Sequence, residues 1–401
     1  MLRSLFSGIS GLRAHQQMMD VTANNIANIN TAGYKSSQAT FEDTLSQMVR
    51  AGGAPQGGSG GTNPAQVGLG VRLSGIENNF TQGAAQSTGR STDLMIQGDG
   101  FFVVKDAGQN VYTRNGSLSF DTNGTLVTAT GGTVQGWQAV AGVLNTNGTA
   151  GPVKLPIGIS LPPTATTNVT LTGNLPGDTV NPNPLVTSMT TFDALGNPVT
   201  LAVSFTKVTP IQWAVTLTDG TGATAVTSGP TNLDFPPTSA TDPTQLPTPA
   251  TMTVNGVTVD MSALTSYAGA STVNASHQDG AAVGVLQSYT ISQDGTLVGA
   301  FSNGLKQTLA QLAIANFTNP NGLEKGGNSE YKTTANSGAA QLGTAASGGR
   351  GILQQGALEM SNVDLAQEFT NLVIAERGFQ ANSRVITTSD ELLQDLVNIK
   401  H

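Results

Sequence analysis

The chain of 401 residues contains no cysteine, and only 10% of its residues are charged. An ordinary globular protein has about 25% charged residues. Without cysteine, the chain can form no disulfide bridge, thiolate metal site or cysteine nucleophile. The formal net charge is −8, and Lys and Arg form no run. Because phosphate neutralisation requires clustered basic residues, we expect no nucleic-acid partner.

Long hydrophobic runs are also scarce. Residues 1–13 never sustain the roughly 7–15 apolar residues of a secretory signal. No stretch approaches the roughly 20 apolar residues of a membrane span. We therefore expect no membrane insertion, and a protein that is either cytoplasmic or exported without a cleaved signal peptide.

Residue patterns that carry chemistry are few. The histidines His15, His277 and His401 lie far apart and lack neighbouring ligands, so they predict no metal site. The Gly-x-Ser-x-Gly match at residues 57–61 lies in a glycine-rich stretch, whereas a nucleophile elbow requires a strand before it and a helix after it. Residues 121–124 lack the acidic ladder of a calcium loop and are better explained as a hairpin turn. The sequence therefore predicts no catalytic residue, no cofactor and no enzyme.

Helical periodicity marks the N-terminal end of the chain. Apolar residues spaced three and four apart predict an amphipathic helix, with the candidate assembly residues Leu5, Ile9, Leu12, Met19 and Ile26. Gly8 and Gly11 interrupt this helix, and each costs about 1 kcal/mol relative to Ala. A short helix of this kind is marginal in water, so it needs a packing partner.

The C-terminal end has a matching pattern. Residues 361–364, Ser-Asn-Val-Asp, predict the start of a helix through a capping box. Apolar residues then recur every seven positions and predict a second amphipathic helix, with the candidate assembly residues Leu365, Phe369, Leu372, Phe379, Ile386 and Leu393.

Between the two ends the hydrophobic period falls to two, which is typical of strands. Turn dipeptides punctuate these strands and predict hairpins, at Asn115-Gly116, Asn123-Gly124, Gly131-Gly132 and Asn255-Gly256. The glycine-rich residues 51–65 predict a flexible linker, and the proline-containing residues 228–250 predict an ordered loop or an exposed connection. The predicted fold is mainly β with terminal α-helices that pair as a helical assembly domain. Two β-rich domains form the middle of the chain, one inserted in the other.

The apolar faces of the two predicted terminal helices, called the terminal stripes here, leave two interpretations open. An amphipathic helix is usually one wall of an internal core. Here, however, the stripes lie at the extreme ends and belong to no obvious helical domain. Paired terminal helices that cannot bury their apolar faces alone are also what a polymer-forming subunit requires.

Residues 7–17 and 20–35 carry a family resemblance. The core Asn24-Asn25-Ile26-Ala27-Asn28, followed by Thr31-x-Gly33-Tyr34-Lys35, resembles the signature of flagellar rod and hook proteins. Residues 356–390 resemble the C-terminal element of the same family, and residues 96–116 are similar to its first β-domain. The resemblance adds Asn24 and Asn25 to the candidate assembly residues of the N-terminal helix.

The resemblance implies a domain division. Residues 1–30 and 360–401 would form the helical polymerisation domain, and residues 31–72 and 350–359 a connecting segment. Residues 73–149 and 281–349 would form the first β-domain. The insertion at residues 150–280 would form an outer β-domain, and an insertion of this kind is typical of hook-type members.

The resemblance also implies function and partners. It implies a structural subunit that polymerises with copies of itself into the curved tube of the flagellar hook, after export by the flagellar type III apparatus. Distal rod, hook-cap and hook-filament junction proteins would be its neighbours. A distal rod or junction protein is the alternative within the family, while a secreted β-rich enzyme or an adhesin would lie outside it.

Overall fold

A computed structural model of the protein describes residues 2–55, 57, 60–155, 158, 160–177, 183–209, 211–219, 227–228, 232–235, 247–248 and 250–398. The predicted connection at residues 228–250 therefore lies mostly outside the described residues. The chain divides into two compact units. Unit 1 contains Met1–Leu155, Thr290–Val298 and Thr308–His401, and unit 2 contains Pro156–Tyr289 and Gly299–Gln307.

The described elements comprise two long helices, one 3-10 turn and many short strands. In chain order they are α1 (Leu2–Ala27), β1 (Ser37–Asp43), β2 (Ser46–Arg50), β3 (Ala65–Gly68), β4 (Val71–Asn78), β5 (Ala85–Ser87), β6 (Leu94–Gln97), β7 (Phe101–Asp106), β8 (Gln109–Thr113), β9 (Leu118–Phe120), β10 (Leu126–Thr128), β11 (Thr133–Gln138), β12 (Gly151–Pro152), β13 (Ser160–Leu161), β14 (Asn168–Asn174), β15 (Leu185–Phe192), β16 (Pro198–Thr209), β17 (Gln212–Asp219), β18 (Thr227–Ser228), β19 (Asn232–Asp234), β20 (Thr251–Val254), β21 (Val257–Thr265), β22 (Asn274–Gln278), β23 (Gly284–Ile291), β24 (Thr296–Phe301), β25 (Lys306–Leu312), β26 (Ile314–Asn316), the 3-10 turn (Pro320–Gly322), β27 (Glu324–Gly327), β28 (Glu330–Lys332), β29 (Gln341–Gly343), β30 (Ile352–Gln355), β31 (Ala357–Glu359) and α2 (Leu365–Asn398). The prediction of a mainly β fold whose terminal helices pack together is confirmed.

Aromatic side chains form much of the core of unit 1. Phe101 on β7 contacts Phe317 and Tyr331 edge to face, with ring centroids 5.7 and 5.8 Å apart. Tyr112 on β8 meets Phe317 in the same way, at 4.8 Å. Edge-to-face geometry places the positive edge of one ring on the negative face of the next, which adds to the gain from apolar burial. These contacts hold the strands around β7 together.

Unit 2 contains a two-sheet core. One sheet has the order β18-β20-β21-β14-β22, and the other has the order β15-β16-β17-β19. Buried Leu171 and Met261 from the first sheet belong to one cluster with Phe205 and Leu217 from the second. Buried side chains alternate with half-buried ones along the middle of β16, as expected for a strand with one face on the core.

The hairpin predictions have mixed outcomes. Asn255-Gly256 joins the antiparallel pair β20 and β21, and both residues have positive φ, 46° and 84°, as a two-residue primed turn requires. The turns at residues 123–124 and 131–132 also join paired strands. The prediction at Asn115-Gly116 is wrong. This dipeptide follows β8 and precedes β9, but β8 pairs with β7 and β28, and β9 pairs with β10.

Within the glycine-rich residues 51–65, the described residues 51–55, 57 and 60–65 do not form an open linker. Strands β2 and β3, which flank this segment, pair antiparallel, and a bridge joins Gly53 to Thr62. Strands β1 and β4 pair outside them. The described residues on both sides of this segment therefore belong to the two arms of a long hairpin, because their backbone pairing outweighs the flexibility of the glycines.

The start of α2 also differs from the prediction. The carboxylate of Asp364 accepts hydrogen bonds from the backbone N–H groups of Ala366 and Gln367, at 2.9 and 3.2 Å. Asp364 is therefore the N-cap, the residue whose side chain satisfies the free N–H groups of the first turn. Ser361, the predicted cap, lies before the helix, and its hydroxyl accepts a hydrogen bond from the N–H of Val363.

Two short strands return the chain to strands β5 and β6 of unit 1. β30 pairs with β6, and β31 pairs with β5, both antiparallel. The next residues lead directly into α2. This return places α2 beside α1.

Candidate functional site: the paired terminal helices and their junction

The two terminal helices run antiparallel. Gly8 near the start of α1 lies by Ile386 near the end of α2. At the other end of the pair, the Asn25 amide donates a hydrogen bond to Glu368 at 3.0 Å. Between these points, Ala375 of α2 is fully buried. The helices therefore remain in contact along most of α1.

Small residues set the close approach of the helices. A Cβ atom at Gly11 would lie 2.8 Å from Oδ1 of Asn382, and a Cβ at Gly378 would overlap the imidazole of His15. The low helix propensity of glycine is therefore offset by packing, because only a residue without a Cβ allows these side chains to lie so near the opposite backbone.

The predicted N-terminal assembly residues differ in exposure. Asn25 is buried and Asn24 is exposed. The apolar residues are all half-buried: Leu5, Ile9, Leu12, Met19 and Ile26. A single chain thus leaves part of this apolar surface uncovered.

The predicted C-terminal assembly residues fall into two groups. Leu365 and Phe369 are exposed, with 41% and 50% of their surface accessible. The rest are half-buried: Leu372, Phe379, Ile386 and Leu393. The most buried positions of α2 lie on a neighbouring line of Glu368, Ala375 and Ser389. The seven-residue apolar column therefore flanks the contact with α1 rather than forming its centre.

Further apolar residues of the helices are exposed and were missed from the sequence. Ile374, Val385 and Leu392 of α2 are 54%, 43% and 51% exposed, and Phe6 of α1 is 66% exposed. At about 3.6 residues per turn, the spacing of the three α2 residues places them on one side of the helix. That spacing could have identified a second apolar face of α2 from the sequence. The seven-residue repeat was the more regular pattern, and the prediction followed it instead.

The signature asparagines Asn24, Asn25 and Asn28 form hydrogen bonds at the C-terminal end of α1. The Asn25 amide donates to the carbonyl of Ser37 at 2.8 Å, and its carbonyl accepts from the Ser37 N–H at 3.0 Å. The hydroxyl of Tyr34 donates to the side-chain carbonyls of Asn24 and Asn25, both at 3.1 Å. Asn28 donates to the carbonyl of Asn24, one turn back. These bonds satisfy free polar groups at the helix end and fix the direction of the following chain.

Glu359 is the buried centre of the junction behind α1. Its carboxylate lies 2.6 Å from Nζ of Lys35 and 3.4 Å from the guanidinium of Arg114, and it accepts the N–H of Gly83 at 2.9 Å. The side chains of Lys35 and Glu359 have no exposed surface. Burial lowers the pKa of Lys35 from its ordinary value, and the Glu359 carboxylate opposes that shift. Burial likewise lowers the pKa of Arg114.

A cavity of about 840 Å³ lies beside the signature. Most of the residues that line it are polar, and they include Asn24, Asn28, Tyr34, Lys325 and Glu330. The ammonium group of Lys325 lies 4.9 Å from the centroid of the Tyr34 ring. Burial raises the pKa of Glu330.

Neither a metal-binding cluster nor a membrane-spanning helix occurs among the described residues. No group of three or more His, Asp or Glu side chains there could hold a metal ion. In the same part of the chain, no helix is both long and apolar enough to cross a membrane.

Comparison with protein-family models and known proteins identifies the family. Four models match: "Flagella basal body rod protein" at residues 5–35, "Flagellar hook protein FlgE/F/G D1 domain" at 95–174, "Flagellar basal body protein FlaE D2 domain" at 176–281, and "Flagellar basal body rod FlgEFG protein C-terminal" at 354–399. The chain is 38% identical to the flagellar hook protein FlgE of Borreliella burgdorferi, and the match covers 100% of both chains. The chain belongs to the flagellar hook protein family.

Further comparisons agree with membership in the hook protein family. The flagellar hook protein FlgE of Treponema pallidum is 36% identical over 100% of both chains. A crystal structure of the Helicobacter pylori flagellar hook protein FlgE2 matches with a TM-score of 0.52 and 16% identity, covering 69% of this chain and 100% of that one. At that identity the structural match supports the fold alone.

Proposed function

We propose that this hook-family chain is the structural subunit of the flagellar hook, the curved flexible tube that transmits torque from rod to filament in swimming. The observation that carries this proposal is full-length similarity to proteins named flagellar hook protein. Its place is the hook, outside the cell, reached by export without a cleaved signal. The role is structural and not enzymatic.

The exposed apolar residues of the terminal helices support polymerisation. Leu365, Phe369 and Ile374 present large side chains to solvent on a helix that already packs on α1. Apolar surface of this kind is stabilised when another chain covers it. A second copy in the same register covers one side of α2 while leaving the other side free. Such a head-to-tail contact builds an open helical assembly when the rotation between copies does not close into a ring.

For the domain division we propose the one that the family resemblance implies. The polymerisation domain is residues 1–30 with 360–401, and the connecting segment is residues 31–72 with 350–359. Residues 73–149 with 281–349 form the first β-domain, and residues 150–280 form the inserted outer domain. The partners are other copies of the chain, the distal rod, hook-cap and hook-filament junction proteins, and the type III export apparatus.

A distal rod or junction protein is the alternative within the family. It is favoured by the match of residues 5–35 to a model described as a basal body rod protein. A match to the D2 domain model over residues 176–281, together with full-length hook relatives, favours the hook.

The deciding experiment compares polymerisation of the full-length chain with that of the Phe369→Ser variant by electron microscopy and light scattering. We expect hollow tubes from the unchanged chain and at least a tenfold higher critical concentration for the variant. Because Phe369 is half exposed in a single chain, the melting temperature of the monomer should barely change.

Val186→Ser is the matched control. Val186 is 63% exposed on β15, outside the terminal helices. The critical concentration of the Val186→Ser variant should therefore match that of the unchanged chain. Normal tubes from Phe369→Ser would contradict a role for this helix face in assembly. Monomers alone from the unchanged chain, even with native hook fragments as seeds, would contradict the hook function.

A further inference from the structure

The tetrapeptide Thr-Asn-Gly-Thr occurs twice in unit 1, at residues 122–125 and 146–149. An Asn-Gly pair is especially prone to spontaneous deamidation, because glycine has no side chain to hinder its backbone nitrogen. That nitrogen can attack the side-chain amide carbon of the preceding asparagine. Since the two tetrapeptides are identical, a difference in their reactivity has to come from the structure around them.

The first copy is held in a tight hairpin turn that joins the paired strands β9 and β10. Gly124 is buried with φ of +74°, and its N–H donates to the carbonyl of Asp121 at 3.0 Å. The carboxylate of Asp121 accepts the N–H groups of Asn123 and Thr125, at 2.9 and 2.6 Å. The nitrogen that would attack therefore already donates a hydrogen bond, and the turn keeps it from reaching the side chain of Asn123.

The second copy lies in an open loop between β11 and β12, and residues 146–149 are all exposed. Within the described part of the chain, the N–H of Gly148 has no hydrogen-bond partner. The carbonyl of Gly148 accepts the indole N–H of Trp137 at 2.9 Å, and the N–H of Asn147 donates to the side chain of Asn145 at 3.2 Å. These two bonds hold the loop on either side of the Gly148 nitrogen without engaging the nitrogen itself.

We infer that Asn147 is a site of spontaneous deamidation, whereas Asn123 in the same tetrapeptide is protected. The backbone nitrogen of Gly148 forms a bond to Cγ of Asn147, the bond from Cγ to Nδ2 breaks, and ammonia leaves with the proton of the Gly148 N–H. Water then opens the five-membered succinimide ring at either carbonyl and gives aspartate or isoaspartate. Each event adds one negative charge to a chain whose formal net charge is −8. This chemistry does not depend on the proposed function.

Isoaspartate at position 147 would also change the contact with Trp137. It places the Cβ atom of residue 147 in the main chain and lengthens the main chain by one atom just before Gly148. The Gly148 carbonyl that accepts the indole N–H then has to shift. Trp137 belongs to the buried cluster that contains Phe101 and Tyr112, so a chemical change in an exposed loop is connected to the core of unit 1.

Peptide mapping by mass spectrometry tests the assignment on the full-length chain incubated at mildly alkaline pH in water enriched in heavy oxygen. Ring opening incorporates one solvent oxygen, so the label marks deamidation that occurs during the incubation. We expect deamidation at Asn147 to be at least tenfold faster than at Asn123. In the chain unfolded by urea, the two sites should react at similar rates because the turn around Asn123 is lost. Equal rates in the folded chain, or a faster reaction at Asn123, would overturn the proposal.

Gly148→Ala tests the ring closure. A Cβ atom at position 148 would lie 3.7 Å from the carbonyl oxygen of Asn145, which is ordinary van der Waals contact, so the loop accepts alanine while the methyl group hinders the attacking nitrogen. We expect at least fivefold slower deamidation at Asn147 and an unchanged melting temperature. Asn255, in the hairpin of β20 and β21, is the internal standard and should react equally in both chains. An unchanged rate at Asn147 would contradict attack by the Gly148 nitrogen and overturn the proposal.

Discussion

The imidazole of His15 lies against Gly378, where a Cβ atom on the glycine would overlap the ring. The contact is in the middle of the antiparallel helix pair, near Ala375, which is fully buried. The glycine therefore has a packing role that opposes its intrinsic helix propensity. Packing against His15 and helix propensity change the free energy of unfolding in opposite directions when Gly378 is replaced by alanine, so mutation can separate them.

Gly378→Ala should destabilise the unchanged chain and stabilise the chain that carries His15→Ala. In the first case the new methyl group displaces the imidazole and separates the helices. In the second case the space is open, and alanine gains about 1 kcal/mol over glycine in a helix interior. The free energy of unfolding of the four chains, measured by urea denaturation, forms a double-mutant cycle that isolates this contact.

Gly8→Ala is the control for the helix glycines. A Cβ atom at Gly8 would lie 3.4 Å from Cγ1 of Ile386, which is ordinary van der Waals contact, so this variant should be at least as stable as the unchanged chain. A Gly378→Ala effect of the same sign in both His15 backgrounds would contradict the packing argument.

Gly33→Ala should be among the most destabilising single substitutions near the signature. Gly33 has φ of +69°, and a Cβ atom there would lie 2.5 Å from the backbone N of Asn115. The left-handed conformation costs a residue other than glycine about 1–2 kcal/mol, and the overlap with backbone atoms adds to this cost. Thermal unfolding monitored by circular dichroism measures the effect.

Gly108→Ala separates the two costs at Gly33. Gly108 has φ of +84°, and a Cβ atom there would meet no other atom within 4 Å among the described residues, so its substitution carries the conformational cost alone. We expect a clearly larger fall in melting temperature for Gly33→Ala than for Gly108→Ala. Equal falls would mean that the chain near Asn115 yields to the new methyl group.

Features encoded in short stretches of sequence could be predicted. The apolar spacing of Leu5, Ile9 and Leu12 gives a helix because the helical period is local. The Asn255-Gly256 hairpin is likewise local, since both residues adopt positive φ in a turn of two residues. The family signature located the junction because its residues are close in sequence, even though their bonding pattern was not predicted.

Features that depend on distant partners could not be predicted. Asn115-Gly116 has the composition of a hairpin turn, yet the carbonyl of Gly116 accepts the N–H of Leu94 instead. The ion pairs of Glu359 join residues separated by hundreds of positions. The contact face of α2 is centred on Ala375 and Ser389, where small size decides the packing, and a hydrophobic pattern does not record size.

The buried carboxyl of Glu368 should make the contact between helices depend on pH. Burial raises the pKa of Glu368, the charge of Asp364 raises it further, and the hydrogen bond from Asn25 opposes the shift. Between the unfolded value of about 4.3 and the raised folded value, the folded chain binds more protons than the unfolded chain. Stability from this group is therefore fully present below the unfolded pKa and is lost as pH rises through the folded pKa.

Glu368→Gln should remove this dependence, because the glutamine carbonyl still accepts the Asn25 amide but carries no charge. We expect equal melting temperatures for variant and unchanged chain near pH 4 and a growing advantage for the variant as pH rises toward 7. Glu391→Gln, at an exposed position of α2, controls for the loss of one negative charge from the helix. A variant that loses stability relative to the unchanged chain as pH rises would mean that the charged carboxylate strengthens the bond to Asn25 by more than its burial costs.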